Sequence, residues 1–273
     1  MKNLNVVLLA VFLTLGITLT ASAAPVDLTS WSELTLDFPS GQPAGNWVLE
    51  SGNDAVTQVV NADPSFYLNN LNQTSYSMDG SWQVLTSSDD DYMGFVFGYQ
   101  NSSNFYLFDW KQGTQGYSGG TANEGMTIKK MTGSSGDGLT DLSLGEFWEN
   151  GVDLGDMDVL ATNHSSSAGW ADGSLYDFHL DFNTIAGQFT INVKDGATVL
   201  WDVTVTDSTF TDGQFGFYNY SQGDVRYAGF EQTGGTTVDD DPTPNPVPEP
   251  ATMLLFGTGI AGLVGSRLRR KKK

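Results

Sequence analysis

The chain has 273 residues, with 12 Lys and Arg against 32 Asp and Glu, a formal net charge of −20, no cysteine, 32 glycines and 16 Phe, 10 Tyr and 7 Trp. Zero cysteines exclude a disulfide scaffold and any Cys-ligated metal or redox centre. The acidity argues against nucleic acid as a partner, because phosphate affinity comes from clustered Lys and Arg. The aromatic content argues against a disordered acidic chain.

The N-terminus reads as an address label. Lys2 precedes an apolar run from Val6 to Leu19, and Ala21-Ser22-Ala23 supplies the small-x-small pattern of a signal-peptidase site. Residues 1–23 are therefore expected to be a secretory signal cut after Ala23; the apolar run falls short of the ~20 residues a membrane-spanning helix needs.

From there the apolar residues alternate with period two, the spacing of strands packed on one face. Strands are predicted at Ser32–Phe38, Trp47–Glu50, Val56–Val60, Trp82–Thr86, Tyr92–Tyr99, Asn104–Trp110, Met126–Met131, Tyr176–Phe182, Gln188–Lys194, Thr198–Val205, Gln214–Tyr220 and Val225–Phe230. Only Leu139–Asn150 carries a weakly helical pattern. Asp195-Gly196 joins two of the strands and provides the positive φ of a tight hairpin. A dozen short strands with Gly, Asn, Asp and Ser turns predict an all-β, two-sheet antiparallel sandwich or jelly roll over residues 24–233. On these strands Trp82, Phe95, Phe97, Phe108 and Trp110 are expected in the core.

Candidate chemistry is sparse. Asp89, Asp90 and Asp91 stand where a loop becomes a strand. Calcium takes ~6 to 8 oxygens, so this trio makes a metal site only if the loop curls and brings Asp90 round to the other two. Asp153, Asp156 and Asp158 form a second acidic loop that reads as solvated surface. A glycosidase needs two carboxylates about 5 to 9.5 Å apart across the scissile bond. Glu146 and Glu149 are the nearest pair, but no third acid completes the Glu-x-Asp-x-x-Glu string that hydrolases of the laminarinase type carry on one strand. His164 lies in a polar loop, and His179 on a polar strand face between Asp177 and Asp181. Neither completes a triad or a chelate, so no enzyme is expected. Among loop aromatics, Tyr117 and Trp170 are the candidates for stacking on a ligand.

The stretch DDDYMGFVFGYQNSSNFYLFDWKQ, Asp89 to Gln112, reads physically as a hairpin of two aromatic-rich strands around Gln100-Asn101-Ser102-Ser103. It resembles the C-terminal, L-type lectin-like (concanavalin A-like) domain of the thrombospondins, with its acidic lead-in, Gly-x-x-x-Gly strand and Trp-Lys-Gln ending. Gly169-Trp170, Gly216-Phe217-Tyr218 with Ser221-Gln222, and Gly229-Phe230 follow in the family's order. The resemblance implies a calcium-associated jelly roll with roles in cell adhesion and extracellular matrix. The Asp-rich repeats that precede that domain in thrombospondins have no counterpart between Ala24 and Gly80, so the calcium expectation rests on Asp89–Asp91.

Residues 234–246, with Gly234-Gly235, Asp239-Asp240-Asp241 and alternating prolines, are expected to be an extended acidic linker. Then come Pro248-Glu249-Pro250, an apolar run from Ala251 to Val264, and six cations from Arg267 to Lys273. This tripartite tail, residues 247–273, resembles the PEP-CTERM sorting signal of Gram-negative bacteria. That resemblance implies transient insertion of a short transmembrane segment in the cytoplasmic membrane and processing by an exosortase-type protease; a permanent anchor is the alternative. Without signal and tail the body holds 5 cations and 31 anions. The sequence thus predicts a secreted, envelope- or biofilm-associated binding protein, with calcium and a surface glycan or exopolysaccharide as ligands. A carbohydrate-active enzyme on the same fold and a passive coat protein are the alternatives.

Overall fold

The structure is a computed structural model that describes residues 24–39, 41–134 and 140–238. The signal-cleavage residues Ala21 and Ala23, the sorting residues Pro248, Glu249 and Pro250, and the linker beyond residue 238 lie outside the described residues.

The strands run in chain order as β1 (Ala24–Pro25), β2 (Ser32–Thr35), β3 (Trp47–Leu49), β4 (Ala55–Gln58), β5 (Ser65–Leu68), β6 (Gln73–Val84), β7 (Tyr92–Asn101), β8 (Asn104–Lys111), β9 (Gln115–Tyr117), β10 (Gly120–Ala122), β11 (Gly125–Thr132), β12 (Met157–His164), β13 (Leu175–Asn183), β14 (Gln188–Asp195), β15 (Thr198–Thr206), β16 (Gln214–Tyr220) and β17 (Val225–Thr237). A short α-helix, α1 (Leu144–Trp148), falls inside the segment predicted as helical. Among the described residues no helix is long and apolar enough to cross a membrane.

Two antiparallel sheets make the sandwich. The first has the order β15-β14-β13-β6-β17-β4-β3, with β1 paired to β17; the second has the order β12-β11-β8-β7-β16-β5-β2. Strands from both ends of the chain sit side by side, as in β6 between β13 and β17, so the connectivity is that of a jelly roll. The predicted hairpins are present. β7 pairs with β8 from Tyr92↔Lys111 to Asn101↔Asn104, and β14 with β15 from Gln188↔Thr206 to Asp195↔Thr198. In the second hairpin only Gly196 has a positive φ, of 54°, so the two-residue turn is Gly196-Ala197 and Asp195 ends the strand.

The main core lies between the sheets and is built from aromatic rings. The Trp82 ring stacks on Phe178 at 4.7 Å, and Phe95 stacks on Phe108 at 4.9 Å and on Phe178 at 5.0 Å. The five aromatics predicted as core are all buried, at no more than 1% exposure. A second core covers the opposite face of the second sheet, where α1 brings Phe147 and Trp148 against Tyr92, Phe105, Tyr218 and Tyr220. Both faces of β7 and β8 are therefore buried. A break in register after Phe97, at Gly98 with φ 55°, lets Tyr99 join this second core although Phe95 and Phe97 face the first.

The last strand runs further than predicted. β17 continues through Gly234–Thr237, which the linker reading had placed outside the domain, and pairs Gly234 with Tyr76 and Thr237 with Gln73. The glycines do not end the strand because β6 extends equally far to receive them.

Candidate functional site

The Asp89–Asp91 loop curls as a metal site requires. Each of the three aspartates offers a carboxylate oxygen, and the three oxygens lie within 4.8 Å of one another. Backbone contacts explain the curl. The Asp91 N–H donates to the Gln222 side chain at 3.0 Å, the Asp91 carbonyl accepts from the Trp170 indole at 3.1 Å, and the Asp90 carbonyl accepts from the Gln112 N–H at 3.1 Å. Asn61 donates its side-chain amide to Asp89.

Lys111 completes the cluster from below. It ends β8 opposite Tyr92, so its side chain points toward the loop that precedes β7. Its buried ammonium lies 2.8 Å from both the Asp90 and Asp91 carboxylates and donates to the Asp90 carbonyl at 2.7 Å. The Trp-Lys-Gln string thus acts as one device. Trp110 ties down the Ala168 carbonyl at 2.6 Å, Lys111 holds two carboxylates, and Gln112 holds the loop backbone. Gly113 follows because a Cβ there would sit 2.9 Å from the Asp90 carboxylate.

One ammonium does not balance three carboxylates. Burial, reinforced by the charge of Asp91, pushes the Asp89 carboxyl up to about 6. Three acids and one lysine leave a formal charge of minus two, which a divalent cation would match. The donor set is all oxygen, as calcium prefers, and Asn61 adds an amide at its edge. These residues fit calcium.

The other sequence candidates resolve differently. Tyr117, on β9, is 47% exposed and sets its ring edge-on to Trp148 at 5.1 Å. Because Lys111 lies over the same Trp148 ring at 5.4 Å, Tyr117 belongs to the rim beside the acidic loop. Trp170 is a correction: it is 2% exposed within the main core, its indole N–H is spent on the Asp91 carbonyl, and it has no free face for a ligand. A Gly-Trp pair in a loop looked like a platform; it is a clamp.

Glu146 and Glu149 are both buried and consumed by backbone donors. Glu146 closes a capping box with Ser143 and accepts from the Asp156 N–H at 2.6 Å. Glu149 accepts from the N–H groups of Thr121 and Gly151, each at 2.8 Å. His164 faces Thr127 at 2.8 Å, and His179 faces Asp79 at 2.8 Å rather than its strand neighbours Asp177 and Asp181. In the second acidic loop Asp153 accepts from the Val159 N–H and Asp158 pairs with Lys130, so those acids turn to different partners.

Sequence reasoning missed Lys111, Gln222 and Asn61. A lone lysine in an alternating strand ordinarily reads as surface. The available signal was scarcity: the body holds only five cations, and Lys111 closes the aromatic-rich run Phe105 to Trp110.

The model of the thrombospondin C-terminal region matches residues 42–233. The chain belongs to this family. A PEP-CTERM protein-sorting motif matches residues 246–271, so the chain carries a bacterial sorting signal for export and the cell surface. Thrombospondin-4 of Bos taurus is 29% identical over 229 residues, which cover 81% of this chain and 23% of that protein. Thrombospondin-2 of Gallus gallus is 32% identical over 183 residues, 65% of this chain and 15% of that protein. The chain thus spans about a quarter or less of the length of these relatives. Solved structures of similar fold include the carbohydrate binding module CBM66 from Bacillus subtilis, with a TM-score of 0.47 and 13% identity over 76% of this chain and 96% of that one. The VIP36 exoplasmic/lumenal domain in its Ca2+/Man3GlcNAc-bound form has a TM-score of 0.47 and 10% identity over 78% of this chain and 86% of that one.

Proposed function

We propose that the exported domain is a non-catalytic binding protein of the bacterial cell surface or matrix, in which Asp89, Asp90 and Asp91 hold a calcium ion. The observation that carries this reading is the convergence of three carboxylates within 4.8 Å at a loop whose backbone is pinned on three sides. Bound calcium would supply the charge that Lys111 alone does not, and would fix the rim on which Tyr117 is exposed. That rim is the proposed contact for a surface glycan or exopolysaccharide, and the sorting tail is the proposed substrate of an exosortase-type protease. Membership of the thrombospondin C-terminal family supports an adhesive role. The commitment of Glu146 and Glu149 to backbone N–H groups supports a non-catalytic one.

A glycan array probed with and without chelator tests the ligand half. Binding that disappears in chelator and returns with calcium is expected; a bound glycan indifferent to chelator contradicts the role of the metal. Release of reducing sugar from matrix polysaccharide, lost in Glu146→Gln or Glu149→Gln, would contradict the non-catalytic reading.

A further inference from the structure

The oxygens proposed to hold calcium already surround a cation. The Lys111 ammonium is fully buried and lies 2.8 Å from a carboxylate oxygen of Asp90, 2.8 Å from one of Asp91, 2.7 Å from the Asp90 carbonyl and 3.3 Å from the Gln115 side-chain oxygen. Carboxylate, carbonyl and amide oxygens gathered round one positive charge are the donor chemistry that calcium takes. An ammonium has three N–H donors, and the Asp90 carboxylate, the Asp90 carbonyl and Gln115 accept all three. Carboxylates that compensate a buried ammonium this closely cannot attract a second cation at full strength.

The same side chain reaches the rim. Gln115 begins β9, the strand that ends in Tyr117, and its carbonyl accepts from the Trp148 indole at 3.1 Å. The Lys111 ammonium lies over the Trp148 ring, and Tyr117 sets its own ring edge-on to that indole. One ammonium therefore joins Asp90 and Asp91 to the strand that carries Tyr117. A further polar group near the loop is unsettled. The Tyr220 hydroxyl, on the strand residue opposite Tyr92, is buried without a hydrogen-bond partner among the described residues. Burial first, and then nearby acidic groups that include Asp91, hold its proton. A buried hydroxyl left unpaired is costly, so contacts within the chain do not fully satisfy the polar groups around Asp91.

We propose that Lys111 is an internal counter-ion that competes with calcium for Asp90 and Asp91, and so sets how tightly the site binds. In the calcium-free protein it keeps the loop curled, because its charge offsets two carboxylates that would otherwise repel each other. Its presence places the affinity in the weak range of extracellular calcium modules, with a Kd of ~10⁻⁴ to 10⁻³ M. When the site is loaded, Lys111 loosens its hold on the two carboxylates and on Gln115, which carries the loading to β9 and Tyr117. The proposal rests on the reading of Asp89, Asp90 and Asp91 as a calcium site and adds the residue that tunes it.

The test is a calorimetric calcium titration of the chelator-stripped full chain, wild type against Lys111→Met. The variant is expected to melt lower than wild type in chelator, yet to bind calcium about ten-fold more tightly, because one positive charge has left the cluster. A lysine with a merely structural role would lower the melting temperature with and without calcium and leave the affinity unchanged or weaker; that result overturns the proposal. If the variant does not fold, the wild type is read directly by NMR of its lysine ammonium groups. Saturation with calcium is expected to speed proton exchange at the Lys111 Nζ and to leave Lys129, buried against Asp109, as it was. A Lys111 ammonium equally protected in chelator and in saturating calcium overturns the proposal while the calcium site stands. Failure of both proteins to bind calcium overturns the site itself, and the proposal with it.

Discussion

The two cores of this sandwich are packed by different rules. Between the sheets, Trp82, Phe95, Phe108 and Phe178 stack on one another. On the outer face of the second sheet, aromatic rings surround charge. Lys129 meets Asp109 at 2.7 Å with both side chains fully buried, its ammonium lies 5.2 Å from the Tyr92 ring, and it donates to the Phe147 carbonyl at 2.7 Å. Lys111 and its two aspartates lie on the same face. Charge removed from water costs several kcal/mol per ion unless it is paired and hydrogen-bonded. The first core therefore contributes stability by burial, while the second uses paired charge to fix how α1 and the acidic loop sit on the sheet.

Removing aromatic bulk should hurt the first core most. Trp82→Ala is expected to cost about 3 to 5 kcal/mol, a large share of the stability of a domain this size, and to lower the urea midpoint accordingly. In the second core, Lys129→Met strands a buried carboxylate and should cost about 3 to 5 kcal/mol, while Asp109→Leu combined with Lys129→Met should recover most of the loss. A double variant as unstable as the single would show that the charges matter for more than each other.

Acidity separates the cores next. Burial pushes the Asp109 carboxyl up to about 6 despite the Lys129 ammonium beside it. A carboxyl that binds its proton more tightly folded than unfolded stabilises the fold in acid, fully below about pH 4, and that contribution is lost as pH rises through about 6. In chelator, the melting temperature is expected to fall between pH 4 and pH 7, with Asp89 adding to the slope because it is displaced in the same direction. The Asp109→Leu, Lys129→Met protein should show a shallower slope. The smallest effect is expected at the rim, where Tyr117→Ala removes one edge-on ring contact and should cost roughly 0.5 to 1 kcal/mol, measured in the same urea titration.

The same contrast explains what was legible in the sequence. Strands with one face in the first core and one in solvent, such as β13 and β14, alternate cleanly and were read within a residue of their ends. β6 was found only at its C-terminal end, because Gly80 interrupts its apolar face. That glycine is needed there, since a Cβ would lie 2.4 Å from the Phe230 ring. β5 is four residues buried on both faces, and β12 is a largely half-exposed edge strand in which Val159, Leu160 and Ala161 follow one another, so neither shows period two. At the site, the acidic trio was visible as composition, but its curl depends on Gln222, Trp170 and Gln112, which are far away in sequence or read as something else. Trp170 was misread for that reason: its indole is defined by a partner 79 positions away.

The central claim is that Asp89, Asp90 and Asp91 hold calcium. The most direct test is a calorimetric calcium titration of the chelator-stripped protein, paired with thermal unfolding of the wild type and of Asp89→Asn, Asp91→Asn. Wild-type protein is predicted to bind calcium and, at a hundred-fold excess over Kd, to gain about 2.7 kcal/mol of stability that the double variant does not gain. Equal stabilisation of both proteins by calcium, or none of either, would contradict the account.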